Sequence, residues 1–484
     1  MGIPTDARSE SGNGDAEQLT AENAELRADN EKLRKLVEVQ AERIEQLEKL
    51  VEEVRRGGKR QAAPFSKGIR KANPKKSGRK PGEDYGTKAR RALPQRPPDR
   101  MLDAPLPPSC PGCGSGEVVK LRTDWQWMED LPEPVTILTR FDVAIGACCG
   151  CGRRVQGRHP EQISDALGAA ASQLGPRAVT TAAWLHKTAG MPLAKICAMY
   201  ATLGLTVTPG ALAQAMDRLA AKAGLTYEAL KAELAAQAVI SPDETGWRVG
   251  ALPAWLWAFA ATSITVYAIC EGRSFDDATT VLPADYAGVL CRDGWAPYRK
   301  FTEAVHQSCL AHLLRRCREL DRSNPPSARK IPAELSGILH DALSLRALRD
   351  CGDLDGDALA VAIADLEDRV HRLTAKRPTH PANRRLLKHL RREQAALFTF
   401  LRQPGVDATN WRSEHAIRPA VTNRKVCGGN RTWNSAHTQS VLMTLFRTAY
   451  QQGADAIALM IGLLRSPPAT IAPLAMPLTT KGGS

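Results

Sequence analysis

The chain has 484 residues, 43% of them hydrophobic, which is enough for two or three domains with a sizeable core and excludes a small cross-linked fold. No apolar run approaches the roughly 18 to 20 residues of a membrane span, and the polar start shows no signal pattern, so a cytoplasmic protein without a membrane partner is expected. Net charge is +14, and Arg55 to Arg100 holds 16 Lys or Arg against three acids, which points at a polyanion.

Residues 1–17 lack periodicity and read as a disordered tail. From Leu19 a heptad runs through residues 18–56, with Leu19, Leu26, Leu33, Gln40, Leu47 and Val54 at one core position and Asn23, Asn30, Val37, Ile44 and Val51 at the other. Leucines, β-branched residues and asparagines in this pattern predict a parallel two-stranded coiled coil, hence a homodimer or higher oligomer. Residues 57–104 are rich in Lys, Arg, Pro and Gly with little to bury, as expected of a flexible arm that neutralises DNA phosphates through Arg79, Lys80, Arg90 and Arg91.

Within residues 105–160, Cys110-Pro111-Gly112-Cys113 and Cys148-Cys149-Gly150-Cys151 form two Cys-x-x-Cys knuckles about a strand-like stretch, Val135 to Ile145. Cys110, Cys113, Cys148 and Cys151 suit a tetrahedral structural Zn²⁺, and Cys148 rather than Cys149 keeps the two-residue gap to Cys151. Residues 170–225 are helical in pattern, with a turn region from Gly204 to Gly210 followed by Ala211 to Ala223. Two readings stand: a helix-turn-helix offering Gln214, Asp217 and Arg218 to a major groove, or a packing subdomain.

Asp243 lies in Ser241-Pro242-Asp243-Glu244-Thr245-Gly246-Trp247 where a core strand is expected to end, and the run Ala287 to Arg292 ends in Asp293-Gly294-Trp295. A hairpin over Thr262-Ser263 and a short helix separate them, predicting a three-stranded meander, a helix and a fourth strand over residues 236–308. Residues 309–401 read as a helical insertion, and residues 402–435 return to the core with Glu414 on a short helix. Asp243, Asp293 and Glu414 then make a candidate triad. Carboxylates suit two Mg²⁺ (or Mn²⁺) ions, which serve phosphodiester cleavage by stabilising both attacking and leaving oxygens. Glu244 is excluded from the triad because adjacent strand residues point to opposite faces. Arg418, Arg424, Lys425 and Arg431 flank Glu414 as candidate phosphate contacts. Trp247, Trp295 and Trp433 either stack on an unpaired base or pack in the core. Residues 436–484 hold an apolar-periodic helix or pair, Gln439 to Leu464, and a Pro-containing tail.

The Asp-Glu-Thr box at Asp243, the Asp-Gly box at Asp293 and the Glu followed by Arg418-Pro419 resemble the IS66 family of bacterial insertion-sequence transposases. The resemblance extends through Arg424-Lys425-Val426 and Gly428-Gly429-Asn430-Arg431, and Cys309-Leu310-Ala311-His312 resembles a Cys-x-x-His box of such families. For Cys309 and His312, a packed thiol beside a hydrogen-bonded imidazole and a metal site both stand as readings.

The resemblance implies a multidomain α/β protein: an amino-terminal coiled coil, a zinc-ribbon-like module with four cysteine ligands and an RNase H-like catalytic core with a largely helical insertion. It implies a nucleoid-associated DDE transposase that cuts at terminal inverted repeats and joins the ends to target DNA, with small accessory proteins as possible partners. Two other readings differ in chemistry. A catalytically silent repressor or architectural dimer would bind DNA without cutting it, and a nuclease without strand transfer would nick it.

Overall fold

The structure is a computed structural model, and it describes residues 22–24, 26–40, 44, 94–130, 136–168, 173–323, 325–466 and 470–475. The chain divides into two compact units, Met1–Asp130 and Leu131–Ser484. In the first, the described residues 22–24, 26–40 and 44 are helical and exposed, and the heptad residues Leu26, Leu33, Val37 and Ile44 stand open on that helix. The tail and the arm, including Arg79, Lys80, Arg90 and Arg91, lie outside the described residues.

The second unit opens with a small antiparallel pair, β1 (Ile145–Ala147) and β2 (Arg154–Gln156). Of the strand-like stretch Val135 to Ile145, Val135 lies outside the described residues, residues 136–144 are irregular with Ile137 and Leu138 exposed, and Ile145 alone joins β1. Apolar, β-branched composition makes a strand only where a neighbour pairs with it. Three helices follow, α1 (Pro176–Lys187), α2 (Leu193–Thr202) and α3 (Pro209–Ala235). Thr208 caps α3 by accepting the Ala211 N–H, and Pro209 sits where a missing N–H costs nothing. This helix runs on to Ala235 and buries Leu212, Ala215, Met216 and Leu219 along its first turns.

The main sheet holds β3 (Val239–Val249), β4 (Leu252–Ala260), β5 (Thr265–Cys270), β6 (Val289–Arg292) and β7 (Val305–Ser308), in the order β5-β4-β3-β6-β7. β3, β4 and β5 form the expected antiparallel meander, the short helix α4 (Phe275–Thr279) crosses over, and β6 and β7 lie parallel to β3 and to each other. Side-chain alternation divides the sheet's two faces. Ile240, Trp257, Phe259 and Leu290 join the core built by α1, α2 and α3, whereas Trp247, Leu256, Ala258 and Tyr267 face the helix that carries Glu414. Each fully buried large apolar side chain contributes about 1.5–3 kcal/mol, so the long meander is well anchored.

The insertion consists of α5 (Leu310–Ser323), α6 (Lys330–Cys351), α7 (Gly356–Ala375), α8 (Pro381–Glu393) and the short α9 (Thr399–Arg402). It buries a leucine-rich core against Val289 and Cys291 of β6. The chain then returns as α10 (Trp411–Cys427) and closes with α11 (Trp433–Gln451) and α12 (Ala456–Arg465).

One ionic cluster ties the insertion to the sheet. Glu393, at the end of α8 and fully buried, accepts from Arg292 Nη1 at 2.7 Å, from Arg299 Nη1 at 2.9 Å and from Ser308 Oγ. Arg292 also donates through Nη1 to the Asp293 carbonyl (3.1 Å) and through Nε to His306 Nδ1 (3.1 Å), while His306 Nε2 donates to Phe301 O (3.0 Å). Burial, then the Arg292 charge, holds His306 neutral with its pKa near 4, which suits an imidazole accepting at one nitrogen and donating at the other. Despite its burial, the Glu393 pKa is lowered, first by Arg292 and then by its hydrogen bonds.

Glu393→Ala leaves Arg292 charged and unpaired in the interior, so the chain loses about 3–5 kcal/mol in urea unfolding at neutral pH. Because the Glu393 pKa is depressed, its contribution is present above the ordinary carboxylate range and fades as pH falls through the folded value. The parent and variant unfolding midpoints therefore converge in strong acid. A variant as stable as the parent at neutral pH would show that the cluster does not hold the insertion.

Candidate active site

Asp243 does not end its strand, as the sequence suggested, but lies in the middle of β3. The reason is the hairpin: β4 pairs with β3 from Ser241 to Val249, carrying the strand well beyond the aspartate. On the other edge the parallel pairing of β3 with β6 stops at Ile240↔Leu290. Asp243 and Asp293 each stand three residues past that last pair, so the register brings them side by side where the two strands part.

α10 supplies the third carboxylate from its first turn, Glu414. The helix is held against the sheet at several places. Ser413 Oγ donates to Pro242 O (3.4 Å), the Tyr267 hydroxyl donates to Ala416 O (2.6 Å), and Arg424 Nη1 donates to Thr245 Oγ1 (3.1 Å). Odd-numbered β3 residues such as Trp247 and Val249 face α10, and Asp243 shares their face by alternation. Its pKa rises to about 7, first through burial and then through the charges of Glu244, Asp293 and Glu414. Asp243 therefore feels the charges of both Asp293 and Glu414.

Glu244 points to the opposite face, where it accepts from the Tyr298 hydroxyl and from Arg273 Nε at 2.7 Å. Arg273 in turn stacks on Trp295 and Trp255, its guanidinium carbon 3.7 and 4.7 Å from the ring centroids. Asp293 Oδ1 accepts the Trp295 N–H at 2.9 Å, which fixes the turn after β6. A side chain at Gly294 would run into the His389 ring, so that glycine is set by close packing. Beside these residues is a cavity of about 430 Å³ lined by Asp293, Cys309, His312, Arg315, Arg316 and His389, among others.

The remaining expected site residues fall out differently. Trp247 is core, its Nε1 donating to Asn430 Oδ1 at 2.8 Å, while Trp433 is exposed at the start of α11. Arg418, Lys425 and Arg431 are exposed, but Arg424 is half-buried against Thr245. Gly428-Gly429-Asn430 is a structural join. The Gly250 and Asn430 N–H groups donate to Asn430 O and Arg248 O across the end of β3, and a Cβ on Gly429 would strike the Arg248 carbonyl. Asp217 accepts from Thr438 Oγ1 (2.7 Å) in a helix-packing contact, while Gln214 and Arg218 stay exposed.

Each cysteine knuckle, taken by itself, has the same turn. Cys110 N–H donates to Ser115 O and Gly114 N–H to Cys110 O; Cys148 N–H donates to Arg153 O and Gly152 N–H to Cys148 O. Gly114 and Gly152 take φ of +77° and +70°, a conformation that favours glycine. Backbone N–H groups, of Gly112 then Cys113 in the first and of Cys151 then Gly150 in the second, lower the Cys110 and Cys148 pKa values and favour the thiolate. Sequence reasoning passed over Glu393, His389 and the fully buried Asn410. Only the packing identifies them: Glu393 and Asn410 are buried and His389 lines the cavity, and nothing in the local pattern marks any of the three as interior.

With Asp243 raised to about 7, the metal-free chain gains stability as pH falls through that value, whereas cation binding requires the ionised carboxylate. Mg²⁺ therefore raises the melting temperature more at pH 8 than at pH 6, with affinity about tenfold weaker per unit below pH 7, and Asp243→Asn abolishes the difference. Equal Mg²⁺ shifts at both pH values in the parent would contradict this.

A family model described as Transposase IS66 family matches residues 171–438, which include Asp243, Asp293 and Glu414 and make up more than half of the chain. No curated protein matches the chain. The chain belongs to the transposase IS66 family.

Proposed function

We propose that this chain is a DNA transposase that cleaves phosphodiesters at element ends and joins the 3′-hydroxyls to target DNA. Asp243, Asp293 and Glu414 act as its DDE triad. The observation that carries the reading is the shared register of Asp243 and Asp293 beyond the last β3–β6 pair, and the charge of Glu414, in the first turn of α10, adds to that of Asp293 in raising the Asp243 pKa. The strand order β5-β4-β3-β6-β7, antiparallel then parallel, supports an RNase H-like core.

The donor set fits Mg²⁺ or Mn²⁺. It is all hard carboxylate oxygen, and a partly covered Asp243 crowded by three other acids needs a cation to ionise fully. Bound there, two such ions would stabilise both the attacking and the leaving oxygen of an in-line displacement. The protein's own part is to hold Asp293 through the Arg292 contact to its carbonyl and to keep Glu244 turned away on Tyr298 and Arg273. Arg315 and Arg316, on the cavity beside Asp293, offer phosphate contacts.

Around this core, Cys110, Cys113, Cys148 and Cys151 are proposed to bind structural Zn²⁺, on their spacing and on the like turn at each pair. The exposed Leu26, Leu33, Val37 and Ile44 support self-association through a coiled coil, which would bring two DNA ends together. The basic arm adds salt-sensitive affinity for DNA.

The test uses labelled DNA carrying terminal inverted repeats, Mg²⁺, and the parent beside its Asp293→Asn variant. The parent cuts and joins, and the variant binds equally but reacts at least about a thousandfold more slowly. Binding without cleavage by both proteins would favour a silent DNA-binding dimer, and nicks never followed by joining would favour a nuclease.

A further inference from the structure

A second donor cluster lies against the triad and differs from it in chemistry. Among the described residues, Cys309, His312 and Glu414 place one ligand atom each so that all three lie within 4.8 Å of one another. A tetrahedral zinc ion with one sulfur, one nitrogen and one oxygen ligand sets its donors about 3.3–3.6 Å apart, so small side-chain rotations close the set. His312 Nε2 is already 3.7 Å from Glu414 Oε1.

The cluster is built and incompletely satisfied. Cys309 is buried between β7 and α5; its N–H donates to Arg292 O (2.8 Å), and its Sγ accepts the Asn410 N–H (3.4 Å). Burial, offset in part by the Asn410, His312 and Ala311 N–H groups, raises the Cys309 pKa. His312 Nδ1 is buried with no hydrogen-bond partner among the described residues, while Nε2 stands beyond hydrogen-bond reach of Glu414. The Asn410 amide, on a residue with no exposed surface, is likewise unpartnered at both atoms. A buried polar group left without a partner is costly unless something binds it. Cys309 and His312 also line the cavity shared with Asp293, which gives a path in and room for a fourth ligand.

We propose that Cys309, His312 and Glu414 form a binding site for a single zinc-class cation, and that its occupancy draws Glu414 away from the catalytic triad. A thiolate and an imidazole select a borderline-soft ion over Mg²⁺, so the site does not duplicate the carboxylate one. Binding depends on these residues alone, whereas the inhibitory consequence rests on the transposase reading.

The full-length chain and its Cys309→Ser, His312→Gln and Glu414→Gln variants are equilibrated with buffered micromolar Zn²⁺, and bound zinc is counted by atomic emission, with circular dichroism as the folding control. Each folded variant retains one zinc per chain fewer than the parent; Glu414, being partly exposed, serves should Cys309→Ser fail to fold. With Co²⁺ as probe, Cys309→Asp keeps the metal but loses one thiolate-to-cobalt absorption contribution. Equal zinc in the parent and every folded variant, or an unchanged cobalt spectrum in Cys309→Asp, overturns the proposal.

In Mg²⁺-supported DNA cleavage, Zn²⁺ inhibits the parent at concentrations at least about tenfold lower than it inhibits Cys309→Ser. Zinc loss in the variants with no cleavage by any protein would keep the site and remove the transposase reading. Zinc loss together with equal inhibition of parent and Cys309→Ser would overturn the competition for Glu414.

Discussion

The constraint on which the site depends most is the buried Arg292–Glu393 pair. β6 is only four residues long and has to place Asp293 correctly the moment it ends. Arg292 fixes that end by donating to Glu393 in the insertion and to the carbonyl of Asp293 itself. Arg299 and Ser308 complete the Glu393 shell, and His306 occupies the remaining face of Arg292 as a neutral acceptor. A buried ion pair is seldom a source of net stability, because desolvation offsets most of the attraction, but an unmatched partner is costly. The pair ties the end of helix α8 to the end of β6, where Arg292 also holds the Asp293 carbonyl.

The same economy governs β3. A single strand presents Asp243 to the face that meets α10 and Glu244 to the face that meets Tyr298, so two adjacent acids have opposite fates. Glu244 is paired with Arg273 and Tyr298, although burial still raises its pKa, whereas Asp243 lies among like charges with its pKa lifted to about 7. Under the proposed function, that acid is where a cation would bind. The Cys309–His312–Glu414 cluster gathers softer donors around Glu414.

Much of this was legible in the sequence. The meander, the crossover to β6 and the helical insertion followed from apolar runs and their turns, and the separation of Asp243 from Glu244 followed from strand alternation. What could not be read was how far pairing extends. Asp243 looked like a strand end because Pro242 and the polar residues after it interrupt the apolar run, yet β4 pairs straight across them. Arg424 read as a phosphate contact like its neighbours because exposed and half-buried basic residues have the same letters; only the packing of α10 on β3 sets it against Thr245. Glu393 was invisible for a related reason, since its partner lies a hundred residues away in a chain rich in both charges.

The most direct measurement of the central claim is an anomalous-scattering map from crystals of the full chain soaked in Mn²⁺. Manganese is expected on Asp243 together with Asp293 or Glu414, with no such density in crystals of Asp243→Asn. Manganese bound elsewhere with the three carboxylates left free, or density unchanged in Asp243→Asn, would contradict a cation-binding triad.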